Sequence, residues 1–312
     1  MRLTSLCLNP SIDRTVSCAV FDPSSANRVR FIRDDIGGKG INTAVQAANL
    51  GAESVLALLS PVENRALIRS ALLSRGVDFR DVPVPGRLRV NLKIQTGNGD
   101  TVEINEEGAR AGGDSLEKCF SLLESAAVRG GFCLLTGSLP PGAPEGTYRD
   151  LVPRLRRAGA RVAVDADGAA LSLALEARPD LIKPNRQEFI RLTGSCPDTP
   201  GECAEACRRL IGRTGVGAVC LTLGGDGALY VSETEALFAP AIKVETRSLH
   251  GAGDSMLSAL CLRLSAGEDA RGAFAFASAA AAATVALPGT EMADEAAVRA
   301  LLGRARITSA AP

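Results

Sequence analysis

A lone carboxylate, Asp254, stands where a glycine-rich turn meets a helical pattern in the stretch SLHGAGDSMLSAL, residues 248–260. Apolar residues recur at helical spacing after Gly253, so Asp254 lies in the first turn of a predicted helix. The amides of Gly251, Ala252 and Gly253 can then point together at the partly positive end of that helix. A carboxylate there could accept a proton from a hydroxyl, while the amides stabilise a transferred anionic group. Taken alone, however, an aspartate at a helix start is common and requires no chemistry.

A second glycine-rich stretch, GGKGINTAVQAANLGA at residues 37–52, has a similar design. Its apolar residues fall on one helical face, so residues 37–40 form a flexible helix start that suits an anion. Lys39 adds a positive charge there. The residue order differs from that of a GxxxxGK[ST] phosphate loop, because Gly40 follows the lysine. An ordinary loop-to-helix turn with a solvated lysine explains this stretch equally well.

The third glycine-rich stretch, TLGGDGA at residues 222–228, follows an apolar strand pattern. Three glycines at the end of a strand would allow the backbone to approach a ligand closely. Taken alone, a β-hairpin turn is the better interpretation of the same residues. This stretch therefore does not define a binding site by itself.

The composition restricts the class of protein. A chain of 312 residues with 46% hydrophobic and 22% charged residues can bury the core of one large α/β domain or of two ordinary ones. Basic and acidic residues number 35 each, and this balance argues against nucleic acid or an anionic membrane as the main partner. Because no apolar stretch has the length of a membrane span or a signal peptide, we expect a cytoplasmic protein.

The cysteines and the single histidine limit the chemistry that the chain could perform. Nine cysteines are scattered without a CxxC spacing, although Cys203 and Cys207 are one helical turn apart and could face each other. Reduced thiols that fill small spaces are the favoured interpretation. A zinc site or a Ser-His-Asp triad would depend on His250 alone, so neither is expected.

Short strand patterns alternate with helical patterns along most of the chain. Strands are predicted in FCLLTGSLP, RVAVDADG and DLIKPN, and a strand pair in AVCLTLGGDGALYVS; GTYRDLVPRLRRAG and GECAEACRRLIGRTG are predicted helices. This alternation predicts a mainly parallel sheet, whose ligands bind beyond the carboxyl ends of the strands. Residues 14–35 and 87–105 do not fit this alternation, and the second range predicts a hairpin around GNGD. Both ranges are therefore predicted to form a small separate sheet.

The motifs GGKGIN, KPNRQE, TLGGDG and GAGDSM, in this order, resemble those of the ribokinase-like (PfkB) carbohydrate kinases, over a span from Asn9 to about Thr290. The resemblance implies an α/β fold of the ribokinase type, with a three-layer α/β/α core, a mainly parallel sheet and a small β-sheet lid. Residues 1–13, 36–86 and 106–312 would form the core, and residues 14–35 and 87–105 the discontinuous lid. In relatives such a lid often serves as a dimer contact, so a homodimer through the lid is a further expectation.

The resemblance also implies an ATP-dependent kinase that uses Mg²⁺. LNPSIDRTV, RVNLKI and TGSLPPG resemble the branch of the family that phosphorylates sugar phosphates, which makes fructose 1-phosphate the first candidate acceptor. Tagatose 6-phosphate, fructose 6-phosphate and an unphosphorylated sugar or nucleoside are the alternatives. A sugar-phosphate-binding regulator that has kept the fold is the alternative outside the enzymes. Arg89 and Lys39 favour a phosphorylated acceptor, because a neutral sugar needs no such cations.

The positions that match the family's motifs acquire implied roles. Asp254 would deprotonate the acceptor hydroxyl, and Gly251, Ala252 and Gly253 would form the anion hole. The acceptor site would comprise Asp13, Gly38, Lys39, Asn42 and Arg89, with Arg89 on the acceptor's own phosphate. The nucleotide site would comprise Lys183, Asn185, Thr222, Gly224 and Gly227. Asn185 and Glu188, which match the family's NxxE motif, would organise Mg²⁺ indirectly through water.

Four features depart from the family's usual pattern. LLSPVENRAL, which includes the 59–65 segment, has Pro61 and no glycine where relatives carry a glycine-rich turn. Asp167 replaces a usual serine, His250 replaces a small apolar residue, and Gln187 replaces a Lys or Arg near the γ-phosphate. Because phosphoryl transfer is stabilised by nearby cations, we hypothesise that the site lacks one positive charge and depends more on Mg²⁺ and Lys39. Asp254 and its glycines are intact, so an active kinase is expected.

Overall fold

The computed structural model describes residues 2–97, 99 and 101–310. The β-strands of these residues are β1 (Arg2–Cys7), β2 (Ser11–Cys18), β3 (Arg30–Gly37), β4 (Glu53–Pro61), β5 (Asp78–Val84), β6 (Arg89–Thr96), β7 (Thr101–Asn105), β8 (Phe132–Thr136), β9 (Arg161–Asp165), β10 (Leu181–Ile182), β11 (Ala218–Thr222), β12 (Ala228–Ser232), β13 (Ala236–Ala239) and β14 (Thr308–Ser309). The α-helices are α1 (Lys39–Asn49), α2 (Arg65–Leu73), α3 (Gly113–Ala126), α4 (Thr147–Arg157), α5 (Gly168–Ala174), α6 (Arg186–Thr193), α7 (Pro200–Thr214), α8 (Ala252–Ser265), α9 (Ala270–Val285) and α10 (Glu295–Leu302).

A large sheet forms the centre of the molecule, with the strand order β14-β13-β12-β11-β10-β9-β8-β1-β4-β5. Neighbouring strands from β5 to β11 are parallel, and the strands from β11 to β14 pair antiparallel. Strands such as β8, with the sequence FCLLT, are buried along their whole length, which is typical of a parallel sheet covered on both faces. The predicted mainly parallel sheet is therefore confirmed.

Helices cover both faces of this sheet. Side chains of α3 to α7 belong to one hydrophobic core, whereas α1, α2 and α8 to α10 contribute to cores that do not include those helices. Adjacent residues of one strand, such as Leu134 and Leu135, belong to different cores because strand side chains alternate between the two faces. The arrangement is the predicted three-layer α/β/α core, and it is confirmed.

A second, four-stranded sheet has the order β3-β2-β6-β7. In it, β2 runs parallel to β6, and the two outer pairs are antiparallel. The hairpin predicted around GNGD is formed by β6 and β7, although its Asn98 and Asp100 lie outside the described residues. The small sheet that was predicted from residues 14–35 and 87–105 is thus present. Its strands begin at Ser11 and end at Gly37 on the N-terminal side, and the division into core and lid ranges stays a prediction.

The unusual 59–65 segment forms the end of β4, a 3₁₀ turn over Val62–Asn64 and the start of α2. The Asn64 side-chain oxygen accepts a hydrogen bond from the Leu88 amide at 2.9 Å, which joins this turn to the chain just before β6. Among the described residues, no helix combines the length and the apolar character needed to cross a membrane.

Candidate active site

The carboxyl ends of the parallel strands open into a cavity of about 1390 Å³. Polar side chains of the small sheet line the same cavity, so it lies between the two sheets. Every residue to which the sequence assigned a role lines it: Asp13, Gly38, Lys39, Asn42, Arg89, Lys183, Asn185, Glu188, Thr222, Gly224, Gly227, Gly251, Ala252, Gly253 and Asp254. The fold therefore brings together positions that are up to about 240 residues apart in the chain.

The start of α8 presents backbone groups to this cavity. Gly251 precedes the helix with a φ of 79°, a left-handed conformation that favours glycine. Ala252, Gly253 and Asp254 form the first turn, and among the described side chains none caps it. First-turn amides have no partner within a helix, so these groups are available to an anionic ligand. A Cβ on Gly253 would lie 2.9 Å from Lys183 Nζ, so the lysine ammonium packs directly against this turn.

Asp254 is buried and accepts a hydrogen bond from another helix. Only 7% of the residue is exposed, and its Oδ2 accepts a hydrogen bond from Asn42 Nδ2 of α1 at 2.8 Å. Burial, together with the nearby charge of Asp165, raises the pKa of Asp254 above its ordinary value, against the opposing effect of Lys39. A carboxylate of raised pKa at a fixed position is suited to accept a proton from a substrate hydroxyl.

Asp165 is a functional position that the sequence interpretation missed. It is fully buried at the end of β9, 2.8 Å from Lys39 Nζ and 3.0 Å from Lys183 Nζ. Burial alone would raise the pKa of Asp165, but the two lysines lower it below its ordinary value. Burial alone would lower the pKa of Lys39, but the nearby carboxylates of Asp165, Asp254 and Glu188 raise it above its ordinary value. One carboxylate therefore fixes two ammonium groups at the cavity. The sequence feature that could have revealed Asp165 is its position at the end of the strand in RVAVDADG.

The start of α6 is closed by side chains. Asn185 Oδ1 accepts a hydrogen bond from the Glu188 amide at 2.8 Å, and Glu188 Oε2 accepts one from the Asn185 amide at 2.8 Å. This reciprocal pair is a capping box, and it fixes the Glu188 carboxylate at the cavity wall. Glu188 Oε1 faces Lys39 Nζ at 3.9 Å, beyond hydrogen-bond distance.

The donor set suits Mg²⁺ bound through water rather than a complete protein cage. In the described part of the chain, no group of three or more His, Cys, Asp or Glu residues could hold a metal ion. Mg²⁺ usually keeps several waters and takes one or two carboxylates together with substrate phosphates. Glu188 Oε1 could accept hydrogen bonds from such waters, and the Asn185 side chain lies beside it. The residues present therefore fit the indirect Mg²⁺ site expected from the sequence.

Asp13 organises the part of the cavity that the small sheet provides. Its Oδ1 accepts hydrogen bonds from Ser11 Oγ at 2.8 Å and Asn91 Nδ2 at 2.9 Å. Its Oδ2 lies 3.1 Å from Lys93 Nζ, and both partners of this ion pair are buried. The sequence interpretation included Asp13 but not Lys93 or Asn91. Both could have been found from the alternation of β6, because every second side chain of a strand lies on the same face of the sheet.

Arg89 has unused hydrogen-bond donors at the same end of the cavity. Its Nε is buried and has no hydrogen-bond partner among the described residues, and its Nη1 donates only a long 3.4 Å bond to the Glu106 carbonyl. Desolvation lowers the pKa of Arg89, although Asp13 acts in the opposite direction. A desolvated guanidinium with free donors is an incomplete ion pair, and an oxyanion of the ligand would complete it.

Three of the four departures from the family pattern lie in the cavity wall. Gln187, Asp167 and His250 all line it. His250 Nδ1 is 3.7 Å from Glu103 Oε1 of the small sheet, so this histidine connects the start of α8 with β7. Burial and the charge of Lys93 lower the pKa of His250, while Glu103 and Asp13 oppose the shift. The lowered pKa favours the neutral imidazole.

The TLGGDG stretch is both a hairpin turn and part of the cavity wall. It connects the antiparallel strands β11 and β12, and its Thr222, Gly224 and Gly227 line the cavity. Gly227 has a φ of 115°, and a Cβ there would lie 2.1 Å from the Ala239 carbonyl oxygen. The two interpretations of this stretch are therefore compatible, because the turn itself requires a glycine at a cavity position.

Comparisons with known proteins agree with this geometry. A family model described as pfkB family carbohydrate kinase matches residues 7–296, and the chain belongs to this family. A 1-phosphofructokinase from Rhodobacter capsulatus is 36% identical over 282 residues, which cover 88% of this chain and 89% of that protein. Phosphofructokinase-2 from Escherichia coli, solved in complex with substrates and products, has a TM-score of 0.89 at 26% identity and covers 97% of this chain and 99% of its own.

A solved ribokinase from Thermotoga maritima has a TM-score of 0.78 at 22% identity, and the match covers 96% of this chain and 99% of that chain. At this level of identity the likeness concerns the fold alone. The predicted family and its ribokinase-like fold are confirmed.

Proposed function

We propose that this chain transfers the γ-phosphoryl group of ATP to the free primary hydroxyl of fructose 1-phosphate, which yields fructose 1,6-bisphosphate and ADP. The observation that carries the proposal is Asp254, a buried carboxylate of raised pKa in an uncapped helix turn. The acceptor follows from the relative named 1-phosphofructokinase, which aligns with 88% of this chain. A regulator that only binds a sugar phosphate would have no need of this base.

In this reaction Asp254 accepts the proton of the acceptor hydroxyl as the oxygen attacks the γ-phosphorus. Asn42 orients the carboxylate through its 2.8 Å hydrogen bond. The transfer depends on positioning and charge stabilisation more than on covalent chemistry, so one base suffices. Because burial disfavours the ionised carboxylate, Asp254 binds a proton more readily than an exposed aspartate would.

The negative charge of the transferred group is stabilised from two sides. The amides of Gly251, Ala252 and Gly253 donate hydrogen bonds to its oxygens at the start of α8, and Lys183 lies against the same turn. Lys39, held by Asp165, adds a second cation. Asn185 and Glu188 would hold Mg²⁺ through water, and the ion would supply positive charge to the ATP phosphates. Thr222, Gly224 and Gly227 form the wall along which the nucleotide lies.

The phosphate already present on the acceptor binds at Arg89. Its free guanidinium donors match an oxyanion, and Lys93 adds a buried positive charge to the same end of the cavity. Asp13, Gly38 and Asn42 contact the sugar and its hydroxyls. The phosphate thereby sets the distance between the reacting hydroxyl and Asp254.

A panel of acceptors tests this assignment. The purified protein is assayed for ADP release with fructose 1-phosphate, fructose 6-phosphate, tagatose 6-phosphate, fructose and a nucleoside, at saturating ATP and magnesium. We expect the highest kcat/KM for fructose 1-phosphate, and a new phosphate on C6 of the product. A higher kcat/KM for any other acceptor would replace the proposed substrate. If none of these acceptors leads to ADP release, the result would support the binding regulator instead.

The same family relationship leads us to expect a homodimer through the small sheet. Phe31 and Ile32 of β3 and Ile104 of β7 expose large apolar side chains on the outer strands of this sheet. Exposed apolar side chains on the edge strands of a lid are suitable contacts for a second copy of the chain. Light scattering gives the molar mass in solution of the wild-type protein and of a Phe31→Ser, Ile104→Ser double variant. We expect a dimer for the wild type and a monomer for the variant. A cytoplasmic location stays a prediction.

A further inference from the structure

Two thiols lie in contact beside the nucleotide end of the cavity. Cys196 Sγ and Cys203 Sγ are 3.9 Å apart. Cys196 belongs to the loop between α6 and α7 and is partly exposed, whereas Cys203 is completely buried in the first turns of α7. The spacing in the sequence had directed attention to Cys203 and Cys207 instead.

The two thiols have different surroundings. Arg186 Nη1 lies 4.0 Å from Cys196 Sγ, which places a positive charge beside the sulfur of a partly exposed residue. Burial raises the pKa of Cys203 to about 12, with the neighbouring Cys196 contributing, and its Sγ donates a hydrogen bond to the Pro197 carbonyl at 3.0 Å. Because Cys196 is the more exposed thiol of the pair, a hydroperoxide reaches it first, and the buried Cys203 is its resolving partner.

Arg186 also connects this loop with the glycine-rich turn. It is the first residue of α6 and lines the cavity. Its Nη2 lies 3.1 Å from Asp226 Oδ2, in the 3₁₀ turn Gly224–Asp226. Its Nη1 reaches the Pro197 carbonyl at 3.4 Å and Asp198 Oδ1 at 3.9 Å. One guanidinium therefore contacts both the thiol loop and the turn that lines the nucleotide end.

We propose that Cys196 and Cys203 are a reversible oxidation site whose disulfide weakens nucleotide binding through Arg186. The second half of this inference rests on the proposed function, because it takes the glycine-rich end of the cavity as the ATP site. The oxidant is a hydroperoxide such as hydrogen peroxide.

The chemistry balances as a two-electron oxidation of sulfur. The Cys196 thiolate attacks one peroxide oxygen, so that an S–O bond forms, the O–O bond breaks, and the released hydroxide takes a proton to become water. The sulfur of Cys203 then loses its proton and attacks the Cys196 sulfenic acid, and the S–S bond forms as a second water leaves. The net reaction converts two thiols and one hydrogen peroxide into one disulfide and two waters.

The disulfide changes the position of the loop. A disulfide bond is about 2 Å long, so the two sulfur atoms must approach by about 2 Å. Cys203 is fixed within α7, and therefore the loop that contains Cys196 moves. Its contacts with Arg186 change as a result, and the guanidinium no longer holds Asp226 in the same place. In the described part of the chain, the hydrogen bonds and ion pairs of Arg89 and Asp13 at the acceptor end of the cavity involve neither thiol.

The experiment separates oxidation from catalysis. The full-length protein is treated with hydrogen peroxide, the free thiols are alkylated, and the disulfide is located by mass spectrometry of non-reduced peptides. The dissociation constant of ATP is then measured by calorimetry without any acceptor, before and after treatment with dithiothreitol. We expect a Cys196–Cys203 disulfide and an ATP dissociation constant raised about three- to tenfold, both reversed by dithiothreitol.

Matched variants complete the test. Cys196→Ser and Cys203→Ala should lose the disulfide and the affinity change, whereas Cys207→Ser, a buried thiol one turn from Cys203, should keep both. Absence of a Cys196–Cys203 disulfide, or its formation without a change in ATP affinity, would overturn the proposal. If ATP fails to bind the reduced protein, the proposed function has failed instead, and the peptide analysis still decides whether the thiol pair is oxidised.

Discussion

The helices α6 and α8 both begin at the cavity, but their first turns are built differently. At α6 the side chains of Asn185 and Glu188 satisfy the backbone amides of the turn reciprocally. At α8 the turn begins with Gly251, and no described side chain caps it. The start of α1 resembles that of α8, because Gly38 precedes it and no cap from a side chain is present in the described residues.

This difference separates two tasks within one site. A capped helix start is complete without a ligand and holds a carboxylate, Glu188, at a constant position. An uncapped start leaves amides and a partial positive charge for an anion. We therefore expect changes at α8 to affect the chemical step, and changes at α6 to affect stability and the use of magnesium.

Apart from Asp254 itself, the largest effect in this comparison is expected from Gly253→Ala. The new Cβ would lie 2.9 Å from Lys183 Nζ and would occupy space beside the anion hole. The backbone amide is retained, but displacement of the Lys183 ammonium from this turn would remove one well-placed donor, and such a loss typically lowers kcat by about 10²- to 10³-fold. Steady-state kinetics measure the effect, with Gly212→Ala as a control, because a Cβ at that position in α7 would meet open space. A Gly253→Ala enzyme within threefold of wild type would contradict the role of this turn.

Arg89→Ala should act on the acceptor rather than on the nucleotide. Removing a charge-assisted contact to the acceptor's phosphate costs about 1.5–3 kcal/mol, so KM for the sugar phosphate should rise roughly tenfold to more than a hundredfold. KM for ATP should change less than twofold. Arg87→Ala is the matched control, because Arg87 is exposed and pairs with Glu106. Equal increases in both Michaelis constants would rule out a contact specific to the acceptor.

Asn185→Ala should reveal the structural task of the capped helix. Loss of a side-chain cap lowers the free energy of unfolding by about 1 kcal/mol, and urea denaturation measures it. The substitution keeps the residue-185 amide that donates to Glu188 Oε2, but it removes the Asn185 side chain beside that carboxylate at the expected Mg²⁺ site, so the magnesium concentration for half-maximal activity should rise. Asp294→Ala is the control, because the Asp294 side chain caps α10 by accepting a hydrogen bond from the Ala297 amide at 2.8 Å. This variant should lower stability by a similar amount without a change in magnesium requirement. The same magnesium response in both variants would disprove a specific role for the α6 start.

The smallest effect is expected from Gln187→Lys. The sequence led to the hypothesis that the site lacks a cation here, and in the structure Lys39 and Lys183 share the single carboxylate of Asp165. A further partly screened charge contributes roughly 0.5–1 kcal/mol, so turnover should rise about two- to fivefold with little change in acceptor KM. Gln187→Met tests whether the charge is responsible. Unchanged or slower turnover in Gln187→Lys would end the charge-deficit hypothesis.

Local patterns in the sequence predicted much of the fold and the contents of the cavity. Continuous apolar runs such as FCLLT and the glycines of GAGDSM carry information about their own strand or turn, and the resemblance to a family placed those motifs in one site. The ion pairs of Asp165 could not be found in this way, since Lys39 is 126 residues distant in the chain. The same limit applies to the contact between Cys196 and Cys203, which depends on how a loop packs against α7. Tertiary packing, rather than periodicity, determines such contacts.

The most direct test of the account is the rate of a single turnover in Asp254→Asn. Rapid-quench measurement follows transfer from radiolabelled ATP to fructose 1-phosphate, with enzyme in excess, and calorimetry gives the dissociation constant of ATP for the same preparation. Asparagine keeps the shape of the side chain but cannot accept the proton. We therefore predict a transfer rate that is lower by about 10²- to 10⁴-fold. The ATP affinity should stay within about threefold of wild type. A variant that transfers the phosphoryl group at more than a tenth of the wild-type rate would contradict the assignment of Asp254 as the base.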